Sequence, residues 1–206
     1  MQHFQHPACR ILCIEEMTDD KLAVKRTLAG NKKAFESIIE QHKRLVSHIV
    51  FRMLQNPADR EDICQDVFLK VYENLGGFQF ESKLSTWIAK IAYNTCLNYL
   101  EKKRVPLFDD LAPQEKLLDS VSDCSIRPDQ IVEGREVSSL LQNEIEKMPV
   151  HYRTILTLYH LEQMSYKEIG ETVQLPQGTV KSYLFRARRL LKNRLMAKFK
   201  REDLCH

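Results

Sequence analysis

The chain has 206 residues, enough for one large or two small domains, each with a modest core of its own. Its 43% hydrophobic and 29% charged residues exclude a disordered or collagenous chain, and only six glycines argue against a turn-rich β protein. A formal net charge of +3 is too small to mark a polyanion binder, so the distribution of charge matters more than its sum. From Lys181 to Arg201 every charged residue is basic, while Asp109 to Glu133 is mostly acidic.

Residues 1–17 show no helical period and are expected to be a disordered leader. The apolar run Ile11 to Ile14 is too short for a secretory or membrane segment, which predicts a cytoplasmic protein without membrane insertion. His3, His6, Cys9 and Cys13 in this leader match no standard zinc spacing, so no metal or other cofactor is expected. The six cysteines form no disulfide framework, and Cys64 and Cys96 fall on or near apolar faces, as packing residues do.

Residues 18–104 read as one helical domain with breaks at Gly30, at Asn56-Pro57 and at Gly76-Gly77. Phe35, Ile38, Ile39, Leu45, Val46, Ile49, Val50, Met53 and Leu54 recur at helical spacing and predict a long helix with a wide buried face. Residues 105–133 carry prolines, serines and acidic residues with weak periodicity, the composition of an interdomain linker. Helical patterning returns over 134–200, ahead of a short tail at 201–206. No strand alternation or internal repeat is visible. The predicted architecture is all-α, with two helical domains joined by a flexible linker.

At about 100° per residue, a helix over 59–75 puts Ile63, Cys64, Val67, Val71 and Leu75 on one side. The other side gathers Asp62, Gln65, Asp66, Leu69 and Glu73, an apolar residue ringed by acidic and amide groups. That pattern suits a protein-docking face, and it also suits a solvated acidic face with one incidental leucine. A helix beginning near Ser82 carries Leu84, Ile88, Ile91, Ala92, Thr95 and Tyr99 on one face and Lys83, Trp87, Lys90, Asn94 and Asn98 on another. Interleaved aromatic, basic and amide side chains suit single-stranded nucleic acid, since rings stack on bases, lysines track phosphates and amides read base edges. Phe78 and Phe80, in the preceding loop, could wall a pocket for an extruded base. The competing reading makes Trp87, Phe78 and Phe80 ordinary packing residues.

Ser165-Tyr-Lys-Glu168 has the form of a capping box opening a short helix through Val173. Gln174 to Gly178 breaks the chain, and Thr179 is the expected cap of a basic helix running to about Ala197. Short helix, turn and basic helix make a helix-turn-helix. Val180, Leu184, Ala187 and Leu191 would face inward, with Lys181, Ser182, Phe185, Arg186, Arg188, Arg189 and Lys192 outward. Early residues of such a helix reach base edges in the major groove, and later basic residues hold phosphates.

Four motifs carry a family resemblance: Asp59-Arg-Glu-Asp-Ile-Cys-Gln-Asp-Val-Phe-Leu-Lys-Val71, Phe80-Glu-Ser-Lys-Leu-Ser-Thr-Trp-Ile-Ala-Lys-Ile-Ala-Tyr-Asn94, Met148-Pro-Val-His-Tyr-Arg153 and Pro176-Gln-Gly-Thr-Val-Lys-Ser-Tyr-Leu-Phe-Arg-Ala-Arg188. Their order and spacing, over roughly Asp19 to Leu195, resemble the extracytoplasmic-function (ECF) group of sigma-70 transcription factors. These are compact members that keep only the second and fourth sigma regions.

The resemblance implies a non-enzymatic factor that binds core RNA polymerase, directs it to promoters and promotes melting. It implies that Asp62, Gln65, Asp66 and Leu69 dock on the clamp helices of the β′ subunit. It assigns the minus-ten element to Phe78, Phe80, Lys83, Trp87, Lys90, Asn94, Asn98 and Arg104, with Lys102 and Lys103 near DNA. It assigns the minus-thirty-five duplex to Thr179, Lys181, Ser182, Tyr183, Phe185, Arg186, Arg188 and Arg189. The fourth region would also touch the β-flap, and an anti-sigma factor is the expected regulatory partner.

The chain departs from the family pattern at Gln174, where glycine or asparagine is usual, and at Tyr183, where arginine is common. The leader to Glu16 has no counterpart in that pattern. Three rival readings use fewer of the features. A conventional duplex-binding regulator leaves the Asp62 stripe without a role. An RNA-binding regulator leaves the basic helix unexplained. An enzyme would need a phosphate loop, a metal-spaced helix motif or a serine elbow, none of which is present in the sequence.

Overall fold

Local chemistry sets the helix boundaries in the computed structural model, which describes residues 19–103 and 134–202, with the side chains of the second span described over 140–198. Helix α1 (Asp19–Leu28) ends where Gly30 takes φ 89°, a left-handed conformation that costs a glycine little. Asn31 then caps α2 (Lys32–Met53), its side chain accepting from the Ala34 amide at 3.3 Å. Asn56 caps α3 (Pro57–Asn74) in the same way, accepting from Ala58 at 3.2 Å, with Pro57 in the first turn where its missing N–H costs nothing. A 3₁₀ turn over Leu75–Gly77 closes α3, and α4 (Leu84–Lys102) begins two residues later than the Ser82 start expected from the sequence.

The second half contains α5 (Gly134–Glu146), α6 (Val150–His160), α7 (Tyr166–Val173) and α8 (Gln177–Glu202). The Ser165 capping box forms in full: the Ser165 side chain accepts from the Glu168 amide at 3.3 Å, and the Glu168 carboxylate accepts from the Ser165 amide at 2.8 Å. Gln174 adopts φ 58°, ψ 42°, the left-handed conformation that glycine or asparagine takes at least cost, so the turn forms without either residue. Gly170 is required for another reason: a Cβ there would lie 2.7 Å from the Leu175 carbonyl oxygen as the chain doubles back toward α8. Two expectations are corrected. Thr179 does not cap α8, because the helix already begins at Gln177, and α8 runs past Ala197 to Glu202. Among the described residues there is no strand and no helix long and apolar enough to cross a membrane. The 1–17 leader and the 105–133 linker lie outside the described residues.

In the first half, α2, α3 and α4 pack around Ile38, Ile49, Val50, Met53, Val67, Val71, Leu84, Ile88 and Ala92, all essentially inaccessible to solvent. The second half closes around Ile155, Leu158, Ile169, Val180, Leu184 and Ala187. Each fully buried aliphatic side chain contributes roughly 1.5–3 kcal/mol of transfer free energy, so either set suffices for a small domain core. The two cores are continuous. Helix α6 lies against α2 and α7 against α4, and on α4 Thr86, Ala89, Tyr93, Cys96 and Leu100 are buried along with Leu84, Ile88, Ala92 and Thr95 of its predicted apolar face, whose Ile91 and Tyr99 are half-buried.

Candidate functional site

The acidic stripe of α3 stands as the periodicity predicts. Ile63, Val67 and Val71 point inward, while Asp62 and Gln65 are exposed and Leu69 is 61% exposed. Asp66 is partly exposed and pairs with Lys70 one turn on, Nζ to Oδ2 at 2.9 Å, and Lys70 also reaches the Thr95 hydroxyl at 3.3 Å. A surface pair of this kind contributes little stability, and here it holds Asp66 in one orientation. Sequence reasoning missed Tyr72, which is 52% exposed one turn beyond Leu69 and meets the Phe35 ring edge at 4.9 Å. Its 3-residue spacing from Leu69 was the available signal.

The loop leading into α4 is the most strained part of the first half. Phe80 has φ 58°, unusual for a bulky residue, and backbone of this kind is held in place only by its surroundings. Its ring packs 4.7 Å from that of Phe78, and Phe78 in turn lies 5.2 Å from Trp87. Phe78 is buried and Trp87 half-buried, so both serve packing as well as lining an open cleft of about 370 Å³ with Thr86, Lys90 and Ser82. That volume is in the range of small-ligand pockets. Phe80 does not line this cleft; it is 37% exposed, with the Lys21 ammonium 6.0 Å from its ring.

Along α4, Lys90 and Asn98 are exposed. Lys83 is exposed too, yet its Nζ lies 2.8 Å from Glu168 Oε1 of α7. Asn94 accepts from the Gln174 amide at 3.3 Å. Lys103 pairs with Asp59 at 3.0 Å; a hydrogen bond with Tyr99, and after it the Lys103 pair, lower the Asp59 carboxyl pKa. Arg104 lies outside the described residues.

On α8 the inward set is as predicted for Val180, Leu184 and Ala187, with Leu191 half-buried. Lys181, Ser182, Arg186, Arg188 and Arg189 are exposed and Phe185 is 54% exposed. Two cations are oriented by rings beneath them: Lys181 Nζ lies 5.5 Å from Tyr166 and the Arg188 guanidinium 4.9 Å from Tyr159. Tyr183 is not part of the outward face. It is half-buried and makes an edge contact with Tyr152 at 5.7 Å, because its helical angle turns it toward α6. Thr179 is partly buried in the first turn.

Residues that sequence reasoning did not single out join the two halves. His48 of α2 pairs with Glu162, and Arg52 donates to the Thr157 hydroxyl at 3.2 Å and to the Gln142 side chain at 2.9 Å. Tyr93 and His151 share a hydrogen bond at 2.9 Å, and Arg153 donates to the Met53 carbonyl at 3.3 Å. Burial lowers the His151 pKa and pushes the Tyr93 phenol up to about 12. Glu168 is drawn down to about 2, first by Lys83 and then by the Ser165 cap bonds working against burial. Burial also raises the Cys64 thiol, and Cys96 to about 12, which suits packing cysteines rather than reactive ones. Among the described residues no cluster of three or more His, Cys, Asp or Glu is placed to hold a metal.

Comparison with known proteins agrees with this geometry. The sigma-70 region 2 family matches residues 38–105, and the sigma-70 region 4 family matches 138–191. The ECF RNA polymerase sigma factor SigW of Bacillus subtilis is 33% identical over 180 residues, covering 85% of this chain and 96% of the relative. The ECF RNA polymerase sigma-E factor of Escherichia coli K12 is 31% identical over 193 residues, covering 91% of this chain and all of the relative. Among solved structures, CnrH in complex with the cytosolic domain of CnrY superposes with a TM-score of 0.61 at 18% identity, covering 87% of this chain and 98% of CnrH. The sigma factor RpoE of Bartonella quintana, in complex with the anti-sigma factor NepR, superposes with a TM-score of 0.59 at 18% identity, covering 80% and 98%. With both sigma regions in order along one all-helical chain, the protein belongs to the ECF group of the sigma-70 family, the factors that direct RNA polymerase to promoters.

Proposed function

We propose that the three surfaces divide the work of this sigma factor between core polymerase, unpaired promoter DNA and duplex promoter DNA. Asp62, Gln65, Asp66 and Leu69 dock on the β′ clamp helices, an apolar anchor within a polar rim. Phe78, Trp87, Lys83, Lys90, Asn94 and Asn98, with Phe80 and Arg104, capture minus-ten bases as they leave the duplex. Lys181, Ser182, Phe185, Arg186, Arg188 and Arg189 read the minus-thirty-five duplex from α8, with Thr179 at its entrance and Tyr183 bracing it from behind. Residues 18–104 and 134–200 form the two working domains around the 105–133 linker, and the second also meets the β-flap. The observation that carries the docking assignment is Leu69, 61% exposed in an acidic stripe that no other helix among the described residues covers.

Melting then needs no nucleotide hydrolysis. A captured base gains roughly 1–3 kcal/mol from stacking on an aromatic ring. Each broken duplex step costs about 1.4 kcal/mol on average, so a few captured bases balance the opening. The chain acts by binding alone, without catalysis, in the cytoplasm where its polymerase is. The solved complex of RpoE with the anti-sigma factor NepR supports an anti-sigma factor as its regulatory partner.

Run-off transcription with purified core polymerase on a pool of promoter fragments tests the assignment. Wild type directs initiation, and Asp62→Arg with Asp66→Arg reduces it at least tenfold while duplex contacts by α8 persist. If neither protein directs initiation while wild type binds promoter duplex by itself, the docking and melting roles fall and a conventional regulator takes their place.

A further inference from the structure

Three lysines of the first half are neutralised within the chain: Lys70 pairs with Asp66, Lys83 with Glu168 and Lys103 with Asp59. Two cations of α8 are held differently. Lys181 and Arg188 are exposed, and among the described residues neither pairs with a carboxylate. Each lies instead over a neutral ring, Lys181 Nζ 5.5 Å from that of Tyr166 on α7 and the Arg188 guanidinium 4.9 Å from that of Tyr159 on α6. Arg188 Nε also donates to His160 Nε2 at 3.3 Å, which uses the side donor rather than the terminal pair that would fork onto a phosphate. That bond needs the Nε2 lone pair, so His160 is neutral with its proton on Nδ1. Partial burial, and then the Arg188 charge, lower the His160 pKa in the same sense.

The supporting rings form one continuous row. Tyr159 and Tyr166 stack at 5.3 Å with 16° between their planes, and His160 makes an edge contact with Tyr159 at 5.0 Å. The turn between α6 and α7 sets this stack: Gln163 takes φ 52°, and the amide of buried Met164 donates to the Leu158 carbonyl at 3.0 Å, returning the chain so that Tyr166 lies over Tyr159. The two cations stand seven residues apart on one side of α8, about 10 Å along its axis. An exposed lysine or arginine is otherwise a flexible stem whose rotamer freedom opposes any fixed contact. Rings and an imidazole restrict that freedom without cancelling the charge, which a carboxylate partner cannot do.

We infer that Tyr159, His160 and Tyr166 are positioning residues for duplex binding: from α6 and α7 they hold Arg188 and Lys181 as preset, fully charged contacts for promoter phosphates. The inference rests on the assignment of α8 to the minus-thirty-five duplex and extends the working set to residues outside α8.

The test uses holoenzyme reconstituted from core polymerase and the full chain. It is titrated, over a series of salt concentrations, with a double-stranded promoter that wild type recovers from the run-off pool. Arg188→Ala is expected to weaken binding about tenfold and to reduce the salt slope by about 0.9, the signature of one lost phosphate contact. Tyr159→Leu with His160→Leu should weaken it roughly fivefold and shift the slope in the same direction, whereas Tyr159→Phe with His160→Gln, which keep a ring and an acceptor, should stay within about twofold of wild type. His160→Leu alone, at an exposed position where folding is insensitive to substitution, should cost roughly threefold. In an Arg188→Ala background the leucine pair should add less than about 1.5-fold, because the group it positions is gone. Tyr166→Leu should behave likewise against Lys181→Ala.

If Arg188→Ala weakens binding while the leucine pair and His160→Leu do not, the cation acts without its supports and the inference alone fails. Equal losses from the leucine pair with and without Arg188 would mean that these side chains only hold the fold, which also overturns it. If neither Arg188→Ala nor Lys181→Ala changes affinity or slope, the assignment of α8 to the duplex fails and the inference falls with it.

Discussion

The two helices proposed to read DNA, α4 and α8, share a pattern and differ in circumstance. Each places lysines and an aromatic residue on one side and aliphatic residues on the other, yet α8 presents that side to solvent while α4 has α7 laid across part of it. Helix α8 is a peripheral helix buried along one stripe. Helix α4 is central, and Tyr93, Cys96 and Leu100 are buried outside its predicted apolar face. Similar helical faces therefore do not guarantee similar access: neighbours decide which of the two proposed nucleic-acid surfaces is free.

The largest way to break the comparison is Gly170→Ala. A methyl group 2.7 Å from the Leu175 backbone oxygen cannot be relieved by a side-chain movement, so the turn between α7 and α8 must shift. Overpacking of this kind costs roughly 1–3 kcal/mol or more. The expected result is loss of α8 duplex binding together with exposure of the α4 surface, measured by promoter-duplex binding and hydrogen exchange over residues 84–102.

Substitution on the reading faces sharpens the contrast. Trp87→Ala should cost about 1–3 kcal/mol in open-complex formation, measured by permanganate footprinting, and leave duplex affinity unchanged. Phe185→Ala should do the reverse, weakening duplex binding by roughly 1–3 kcal/mol with selectivity lost at one base position. If both variants fail in the same assay, the two surfaces do not divide the work.

A smaller effect is expected from Ser165→Ala, which removes the α7 cap and one member of the Glu168 network. Loss of such a cap costs about 1 kcal/mol, visible as a lower urea midpoint for the second half.

The mildest test is pH. Burial lowers the pKa of His151 at the junction and of His42 in α2. The unfolded chain titrates these near 6.5 and so binds more protons than the folded chain just below that value. Their contribution is intact above about pH 6.5 and declines as the pH falls toward the lowered folded values. The thermal midpoint should drop between pH 7 and 5, and His151→Gln should flatten that drop. A midpoint unchanged across this range would mean that neither histidine is held neutral by the fold.

Much of this was legible in the chain. The apolar period of 35–54 marked α2, Asn56-Pro57 marked the start of α3, and Ser165 with Glu168 marked α7 by a mechanism confined to four residues. Leu69, Lys181, Phe185 and Arg186 are exposed where their angles on the helix put them. Thr179 was misread because a threonine ahead of an apolar run resembles a cap even when the first turn has begun earlier. Tyr183 entered the minus-thirty-five set through the family resemblance rather than the helical pattern, and its helical angle carries it to Tyr152.

What the sequence determined by itself was therefore local: helix periods, caps, the turn between α7 and α8, and the two charged faces. Each depends on residues within a few positions of one another, where backbone geometry alone fixes the relation. The tertiary structure decided the rest. Glu168 reads as a cap in the sequence and only in the fold becomes the partner of Lys83, 85 positions away in the numbering. His48 with Glu162 and Tyr93 with His151 are likewise joined across 114 and 58 positions. No local period encodes such pairs, because they arise when two independently formed apolar faces pack and bring distant polar groups within hydrogen-bond reach.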